Sequence, residues 1–421
     1  MTNAEMLTSE SIRKDEVMVL AVGNGGCMAT QSIFDRKFSC LFCNSAQNDL
    51  KSLAVTVENK YKLHYTNPDG MGTDGAGCNR ALGKKMAEDN ISRIFKRIDT
   101  DYNGSKFIYV AFSLAGGTGS GGATTIIKAL HERYGHDRAG KDQEIIPRPD
   151  RYVGAIIIIP SNKDGVTLEG YNNAIECYAE VEMLVKQGVL KSVFICDNSV
   201  SDKWTVNEEI GRDFEDLFTI PERTTATGQS IDGGDLIRAL KHSGWVHSST
   251  FTLPVKNDTD ITNIIPNNYM PEFRKTGCQA LIATVNMEED DTSSYENIKR
   301  YYTPPKDFGK MGTVLNGMEE EAMGITMNRA FAFGINMPQQ VKKNLEELYN
   351  KEVQEINTSI QPEEEYTVNL QEVKIGSAKK VEVEEYKPVL QQINKPTQEQ
   401  RPQRPLSQRE MLLARLKSGK Q

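Results

Sequence analysis

Five glycines, one threonine and one serine lie within the eight residues Ala115–Gly122, in the order AGGTGSGG. Glycine tolerates positive φ and has no Cβ, so successive amide N–H groups of such a loop can close around an anion. The strand pattern FIYVAFSL precedes the loop. A helix predicted from near Ala123 would point its positive dipole end at the same place. The segment indicates a phosphate site, and the alternative is a glycine turn that only permits tight packing.

A second glycine turn, Gly23–Gly26, follows the apolar run Val17–Val22. Such a run is typical of a strand buried on both faces of a parallel sheet. The spacing G-x-G-G lacks the third glycine of the dinucleotide fingerprint, and the next strand pattern ends in Asn44–Gln47 without the acid that would hold a ribose. None of the glycine turns carries the lysine of a P-loop. Dinucleotide enzymes and P-loop NTPases are therefore disfavoured.

Length and composition narrow the class of protein further. The chain of 421 residues is long enough for two domains, and its net charge of −8 argues against a protein that coats nucleic acid with its whole surface. Neither a long apolar run nor a signal-peptide pattern occurs, and seven cysteines suit a reducing compartment. We expect a cytoplasmic protein without a membrane span. The lone C-x-x-C at Cys40–Cys43 has no second pair, which disfavours a zinc or redox role.

Strand and helix patterns alternate along the first half of the chain. Apolar strand patterns occur at 107–114, 152–160 and 192–196, and helical patterns occur at 80–98 and 205–218. This alternation predicts an α/β fold with a Rossmann-like parallel sheet. Ligands of such sheets bind beyond the carboxyl ends of the strands, so the Gly-rich loops are expected to meet at one edge.

Composition and pattern divide the chain into six segments. Short strand patterns dominate from 245 to 337, which predicts a second, smaller α/β domain, and 137–150 is predicted to be a linker. From about residue 360 Glu, Gln, Lys and Pro dominate, which predicts a disordered tail. The predicted segments are a lead-in (1–16), a nucleotide-binding domain (17–204), a central helix (205–220), a second domain (221–337), a C-terminal helix (338–358) and a flexible tail (359–421).

The end of the tail differs from the rest of it. Ser407 and Glu410 have capping-box spacing, and Leu412, Leu413 and Leu416 can share one helix face. From Lys395 onward, seven Lys or Arg residues stand against two Glu, a net charge of +5. A short basic amphipathic helix indicates a partner groove, an anionic surface or DNA, and the alternative is a solvated tail.

These motifs resemble those of the tubulin/FtsZ superfamily of GTPases over roughly residues 17–335. The run GGTGSGG resembles the family signature, Gly23–Gly26 with Cys27 resembles its first phosphate loop, and Asn44–Gln47 resembles its NTDAQ-like second loop. Gly75–Asn79 resembles the third loop, GAGxNP, although Arg80 replaces the proline. The resemblance assigns phosphate binding to Gly23, Asn24, Gly25, Gly26, Cys27, Asn44, Ser45, Gly75, Ala76, Gly77, Asn79, Gly116, Gly117, Thr118, Gly119, Ser120 and Gly121.

The same resemblance assigns the nucleoside end of the ligand. Glu169, within Leu168-Glu169-Gly170, corresponds to the acid that holds the ribose, and Asn198 corresponds to the Asn after the following strand. Asn207 matches the residue that recognises guanine. Trp204 is predicted to supply an aromatic face near the base, or else only to pack. GTP or GDP with Mg²⁺ are the expected cofactors.

The segment Gly228–Asp235 resembles the family's synergy loop, G-x-x-N-x-D-x-x-D/E, with Ser230 at the usual Asn position. The resemblance makes Asp232 and Asp235 catalytic, whereas the residues alone favour an N-cap and dipole role. In the family each subunit holds half of an active site. The next subunit's acids orient the water that attacks the γ-phosphate, so hydrolysis requires assembly into a head-to-tail filament.

Within the superfamily, the chain length, the signature wording and the basic tail are most similar to plasmid- and phage-borne members that segregate DNA. The resemblance then implies that the tail engages a small DNA-binding adaptor on centromeric DNA. The alternatives are a division GTPase of the bacterial type, a non-polymerising nucleotide-binding scaffold, and an oxidoreductase that happens to carry glycine turns.

Overall fold

A computed structural model describes the chain in the following ranges: 13–66, 75–135, 138–139, 145–146, 151–222, 231–252, 254–263, 269, 277–285, 292–302, 310–314 and 328–359. These residues lie within one compact unit, 1–361. Several predicted features fall outside the described residues, namely most of the lead-in and the linker, Gly228–Ser230, and the tail with Ser407 and Glu410.

The strands are β1 (Val17–Val22), β2 (Ser39–Asn44), β3 (Lys62–His64), β4 (Phe107–Ser113), β5 (Arg138–Ala139), β6 (Ile145–Ile146), β7 (Tyr152–Ile159), β8 (Ser192–Asp197), β9 (Gly244–Phe251), β10 (Ile261–Asn263), β11 (Ala280–Val285), β12 (Lys310–Val314) and β13 (Arg329–Ile335). The helices are α1 (Gly23–Asp35), α2 (Gln47–Ser52), α3 (Arg80–Asp101), α4 (Gly117–Tyr134), α5 (Leu168–Lys186), α6 (Lys203–Thr219), α7 (Gly233–Leu240), α8 (Thr292–Tyr302) and α9 (Gln339–Ser359). No helix in these ranges is long and apolar enough to cross a membrane.

One sheet joins eleven of the described strands in the order β12-β11-β13-β9-β8-β7-β4-β1-β2-β3, with β10 beside β9. All pairs from β3 across to β9 are parallel, which confirms the predicted α/β fold with a parallel sheet. Beyond them, β13 pairs antiparallel with both β9 and β11. The order β3-β2-β1-β4-β7-β8 is that of a doubly wound fold, with its reversal between β1 and β4.

Both faces of the sheet are covered by helices. Alternate residues of β1 enter two separate apolar clusters, so that Met18 lies on one face and Val19 on the other, both fully buried. The first cluster contains buried residues of α3, α4 and α5, and the second contains those of α1, α6 and α7. Burial on both faces explains why β1 is an uninterrupted apolar run.

The helix after the signature loop begins at Gly117, so the predicted start near Ala123 was six residues late. Low helix propensity of glycine argued for a loop, but tertiary packing overrides it here. A Cβ on Gly121 would lie 2.0 Å from the Arg80 carbonyl oxygen, and a Cβ on Gly83 would lie 2.1 Å from that of Gly117. Helices α3 and α4 thus meet backbone to backbone, and for these glycines the tight-packing alternative is the one observed.

Candidate nucleotide-binding site

A cavity of about 520 Å³ opens at the carboxyl ends of β1 and β4, where the strand order reverses. This is the position at which doubly wound sheets bind ligands, and the volume suits a small molecule. The lining residues come from four segments that are far apart in the chain: Val22, Gly23, Asn24, Gly25, Asn44, Ala46, Asn48, Asp49, Gly75, Ala76, Gly77, Ser113, Gly116, Gly117, Thr118 and Gly119.

The first glycine loop and the signature loop touch through their backbones. Gly23 has φ +74°, and a Cβ there would lie 2.9 Å from the Gly119 nitrogen. A Cβ on Gly25 would lie 2.6 Å from the Cβ of Ser113. Because α1 begins at Gly23 and α4 at Gly117, two helix N-termini border the same cavity. Their amide groups and dipoles favour an anion there.

The second loop places the one carboxylate among the described lining residues, that of Asp49. Asn44 is buried; its Oδ1 accepts from the Ala46 amide at 3.2 Å, and its Nδ2 donates to Asp49 Oδ2 at 3.0 Å. Ser45 Oγ lies 2.5 Å from Thr118 Oγ1, which ties this loop to the signature loop. Sequence reasoning missed Asn48 and Asp49 because they follow the motif, although an acid in the first turn of a helix was a visible signal.

The third loop contains three residues with positive φ, a backbone conformation that residues other than glycine rarely adopt. Gly75, Gly77 and Cys78 have φ of +98°, +54° and +61°. Asn79 ends the loop as the N-cap of α3, since its Oδ1 accepts from the Leu82 amide at 2.9 Å. The loop therefore presents Gly75–Gly77 to the cavity while Asn79 is engaged in capping.

Arg80, which stands where the family has proline, joins three helices. Its guanidinium donates to the Ser120 carbonyl at 3.2 Å and pairs with Glu176 at 3.1 Å and Glu180 at 2.7 Å. Proline suits the first helical position because its missing N–H needs no partner there. Arginine keeps that position and adds contacts to α4 and α5.

Four predicted residues support the loops from behind and do not line the cavity. Cys27 is buried with its Sγ 3.8 Å from the Cys43 carbonyl oxygen, and burial raises the pKa of its thiol well above the usual value. A Cβ on Gly26 would lie 2.1 Å from the Ala111 carbonyl oxygen. Ser120 Oγ donates to the Gly116 carbonyl, and Gly121 packs against α3.

The residues predicted for the nucleoside also lie outside the cavity lining. Glu169 is exposed on the first turn of α5, and Asn198 donates to Asp164 Oδ2 at 3.0 Å. Trp204, on the first turn of α6, is 61% exposed. The Asn207 carbonyl oxygen accepts from Ser32 Oγ at 2.5 Å, and Arg36 pairs with Glu208 and Glu215. Helix α1 follows β1 and α6 follows β8, two strands of the parallel part of the sheet, so both helices start at the carboxyl-end edge where the cavity lies.

The two acids of the predicted synergy loop lie elsewhere. Asp232 is the exposed N-cap of α7, and its Oδ1 accepts from the Asp235 amide at 2.8 Å. Asp235 is buried and pairs with Arg238 at 2.7 Å. Helix α7 packs against β11 and β13. Five strand positions separate β13 from β1, about 24 Å at about 4.8 Å per strand. The residues alone predicted a cap, and the structure confirms it for Asp232.

Comparison with known proteins shows what this chain is similar to. Residues 16–185 match the sequence profile described as "Tubulin/FtsZ family, GTPase domain". The tubulin-like protein TubZ of Clostridium botulinum C phage is 21% identical over 212 residues, which are 50% of this chain and 52% of the relative. The matched region therefore spans only about half the length of that relative.

Solved structures share the fold over more of the chain. A tail-truncated TubZ of Clostridium botulinum phage c-st matches with a TM-score of 0.62 at 17% identity, covering 81% of this chain and 99% of that one. TubZ of Bacillus thuringiensis serovar israelensis, crystallised as a GTPγS-form protofilament, matches with a TM-score of 0.64 at 15% identity, covering 84% and 96%. At these identities the likeness shows the tubulin/FtsZ fold.

Proposed function

We propose that this chain, whose residues 16–185 match the GTPase-domain profile of the tubulin/FtsZ family, binds GTP in the cavity between β1 and β4 and hydrolyses it. One observation carries the proposal. Three Gly-rich or polar loops and the N-termini of α1 and α4 converge on a single cavity at the reversal point of the sheet. Backbone amides and helix dipoles are the groups that hold phosphates in such folds.

The nucleoside would extend from the phosphates toward the starts of α5 and α6. Support comes from the sheet, since α6 follows β8 as α1 follows β1 and both helices start at the carboxyl-end edge of the sheet. Trp204 is exposed there, so its ring is available to stack on a base. Asn207 would recognise guanine and Glu169 the ribose.

Mg²⁺ fits the donor set of the cavity. Hard divalent cations take oxygen ligands, and bound Mg²⁺ usually shares one or two carboxylates with substrate phosphates and waters. The described lining offers the Asp49 carboxylate, whose Oδ2 is oriented by Asn44. Asp49 would hold the ion, which would neutralise phosphate charge when bound.

Hydrolysis would require a second subunit. Asp49, the one carboxylate of the described cavity lining, is assigned to the ion, and Asp232 and Asp235 lie on α7, which packs against β13, five strand positions from β1. A head-to-tail contact would bring the α7 acids of one subunit to the γ-phosphate held by its neighbour, where they would position the attacking water. Because such a contact is heterologous, repetition builds a filament.

DNA segregation in the cytoplasm is the proposed cellular role, which rests on the family resemblance of the motifs and on the basic tail. In this proposal the basic tail recruits a small DNA-binding adaptor on centromeric DNA. Deleting residues 396–421, which lie outside the described residues, should abolish adaptor recruitment and spare GTP hydrolysis. Recruitment that survives the deletion would remove the tail from the proposal.

Replacing Asp235 with alanine tests the catalytic half of the proposal. The variant should bind GTP as wild type does and form filaments that persist, because the cavity is untouched. Hydrolysis should fall by about two to four orders of magnitude, as expected when a water-positioning group is lost. Arg238→Ala is the matched control, since it removes the partner of Asp235 and leaves the acid in place. Loss of GTP binding in Asp235→Ala would contradict the assigned role.

A further inference from the structure

Asn173, on the second turn of α5, connects two loops of the cavity without lining it. The side chain is 4% exposed. Its Nδ2 donates to the Cys78 carbonyl at 2.7 Å and to the Ala115 carbonyl at 3.4 Å. Two carbonyl oxygens can only accept, so the amide nitrogen, with its two hydrogens, must be the atom that faces them.

Both carbonyls belong to backbone that contributes to the cavity. Cys78 closes the third loop at φ +61°, a left-handed conformation that a residue other than glycine rarely adopts. Ala115 immediately precedes Gly116, a lining residue and the N-cap of α4. Because the peptide group is planar and trans, holding the Ala115 carbonyl also fixes the direction of the Gly116 N–H.

The two loops also touch each other at this point. A Cβ on Gly117 would lie 2.8 Å from the Asn79 nitrogen and 2.8 Å from the Cys78 carbonyl carbon. A Cβ on Gly170 of α5 would lie 3.5 Å from the Ala115 carbonyl oxygen. The third loop, the start of α4 and the first turn of α5 are therefore packed together around the Asn173 amide.

We propose that Asn173 is a positioning residue for the nucleotide, an amide clamp that holds the third loop and the signature loop in their binding conformation. The clamp stabilises the left-handed Cys78 backbone and sets the Gly116 amide, so its loss lowers nucleotide affinity although the side chain touches no ligand. This inference rests on the proposed nucleotide function of the cavity.

Three variants distinguish the loss of the Asn173 hydrogen bonds from the loss of its side-chain packing. Asn173→Leu keeps the approximate volume and removes both hydrogen bonds. Asn173→Asp keeps the shape of the side chain. While it is ionised, its carboxylate oxygen faces two carbonyl oxygens and cannot donate to either. Asn172→Leu is the matched control, because Asn172 is exposed on the same helix turn and donates to Glu176 at 3.1 Å instead of to a loop carbonyl. A fluorescent GDP analogue bound to the full chain reports affinity, and circular dichroism reports folding.

The wild type should bind the GDP analogue, and Asn172→Leu should match it within about twofold. Asn173→Leu and Asn173→Asp should bind about tenfold or more weakly at about pH 8, because buried carbonyls lose their donors. On lowering the pH to about 5.5, Asn173→Asp should regain affinity relative to Asn173→Leu, since burial favours the protonated carboxyl, which can donate one hydrogen bond. Packing alone would not produce that recovery.

The possible failures are distinct. A wild-type chain that does not bind the analogue overturns the proposed function itself. Binding by folded Asn173 variants within about twofold of wild type overturns the clamp alone. An equal, pH-independent loss in both Asn173 variants also overturns it, because donation would then play no part. If Asn173→Leu fails to fold, the pH comparison of Asn173→Asp with wild type decides the question.

Discussion

The two halves of the sheet are held together by different interactions. In the half that contains the cavity, α3 and α4 approach until backbone meets backbone at Gly83 and Gly121. In the half that contains β9 to β13, Arg329 of β13 is 2% exposed and lies against three carboxylates of α6. Asp216 is 2.5 Å and Asp213 is 3.1 Å from its guanidinium, and Glu209 is the third partner.

In the cavity half the helices are positioned by close backbone packing, whereas in the other half they are positioned by ion pairs. The cavity half uses small residues, so uncharged amide groups can approach a ligand closely. The charged cluster fixes α6, and α6 in turn supports α1, because a Cβ on Gly211 would lie 2.6 Å from Ser32 Oγ. Helix α1, which begins with the glycine turn Gly23–Gly26, thus rests on a helix anchored by Arg329.

The largest effect is expected from Arg329→Met. The substitution leaves the buried carboxylates of Asp213 and Asp216 without their cation, so the free energy of unfolding should fall by about 3–5 kcal/mol. Urea unfolding followed by circular dichroism measures it. Arg238→Met is the control, because Arg238 also pairs with an acid but its side chain is 69% exposed, and its loss should cost below about 1 kcal/mol. Equal effects would contradict the charge-based account of this half.

The second-largest effect is expected from alanine substitutions that compare a glycine packed between helices with a glycine that lines the cavity. Gly121→Ala should lower the free energy of unfolding by about 3 kcal/mol, since its Cβ would lie 2.0 Å from a backbone oxygen. Gly116→Ala meets nothing within 4 Å, so stability should fall by no more than about 1 kcal/mol, the cost of alanine at an N-cap, while nucleotide affinity should fall because Gly116 lines the cavity. Thermal unfolding and nucleotide titration of both variants measure the two effects, and a stability loss in Gly116→Ala as large as that in Gly121→Ala would contradict the distinction.

A smaller, pH-dependent effect is expected from Asp213→Asn. Burial raises the pKa of Asp213 to about 6, with Arg329 opposing the shift and Glu209 adding to it. A raised folded-state pKa means that the group's contribution to stability is fully present below about pH 4 and is lost as the pH rises through about 6. Asparagine should remove this loss, so the variant should gain up to about 3 kcal/mol relative to wild type above about pH 6.

Urea unfolding at about pH 4 and about pH 7.5 checks this sign, because the wild-type and variant stabilities should differ more at the higher pH. Ser248 donates to Asp213 Oδ2 at 2.7 Å, so Ser248→Ala controls for the neutral hydrogen bond. A variant that loses stability at about pH 7.5 but not at about pH 4 would show that the Asp213 charge is needed by Arg329.

The smallest effect distinguishes the cap from the charge at Asp232. Asp232→Ala should lower the free energy of unfolding by about 1 kcal/mol, while Asp232→Asn should leave it nearly unchanged, because asparagine caps helices as well as aspartate does. If Asp232 is also catalytic, both variants should lose GTP hydrolysis. Full activity in Asp232→Asn would reduce its role to the cap.

Sequence patterns predicted most strands of the parallel sheet, because residues buried on both faces must be apolar. They also identified the loops of the cavity, since glycine at such density is uncommon outside anion loops. The start of α4 was missed because backbone contact with α3 outweighs glycine's low propensity. Nothing in the sequence joins Arg329 to Asp213, which lies 116 residues earlier, or Asn173 to Cys78. Such pairs are set by strand order, which local periodicity does not encode.

The proposed division of labour between subunits is tested most directly by GTP turnover per subunit as a function of protein concentration. On one chain the cavity lies at β1 and β4, whereas the α7 acids lie on a helix that packs against β13, five strand positions from β1. Turnover per subunit should therefore be negligible in dilute solution and rise steeply once subunits associate, while GTP affinity stays constant. Dilute monomers that hydrolyse GTP at the rate of concentrated protein would contradict the account.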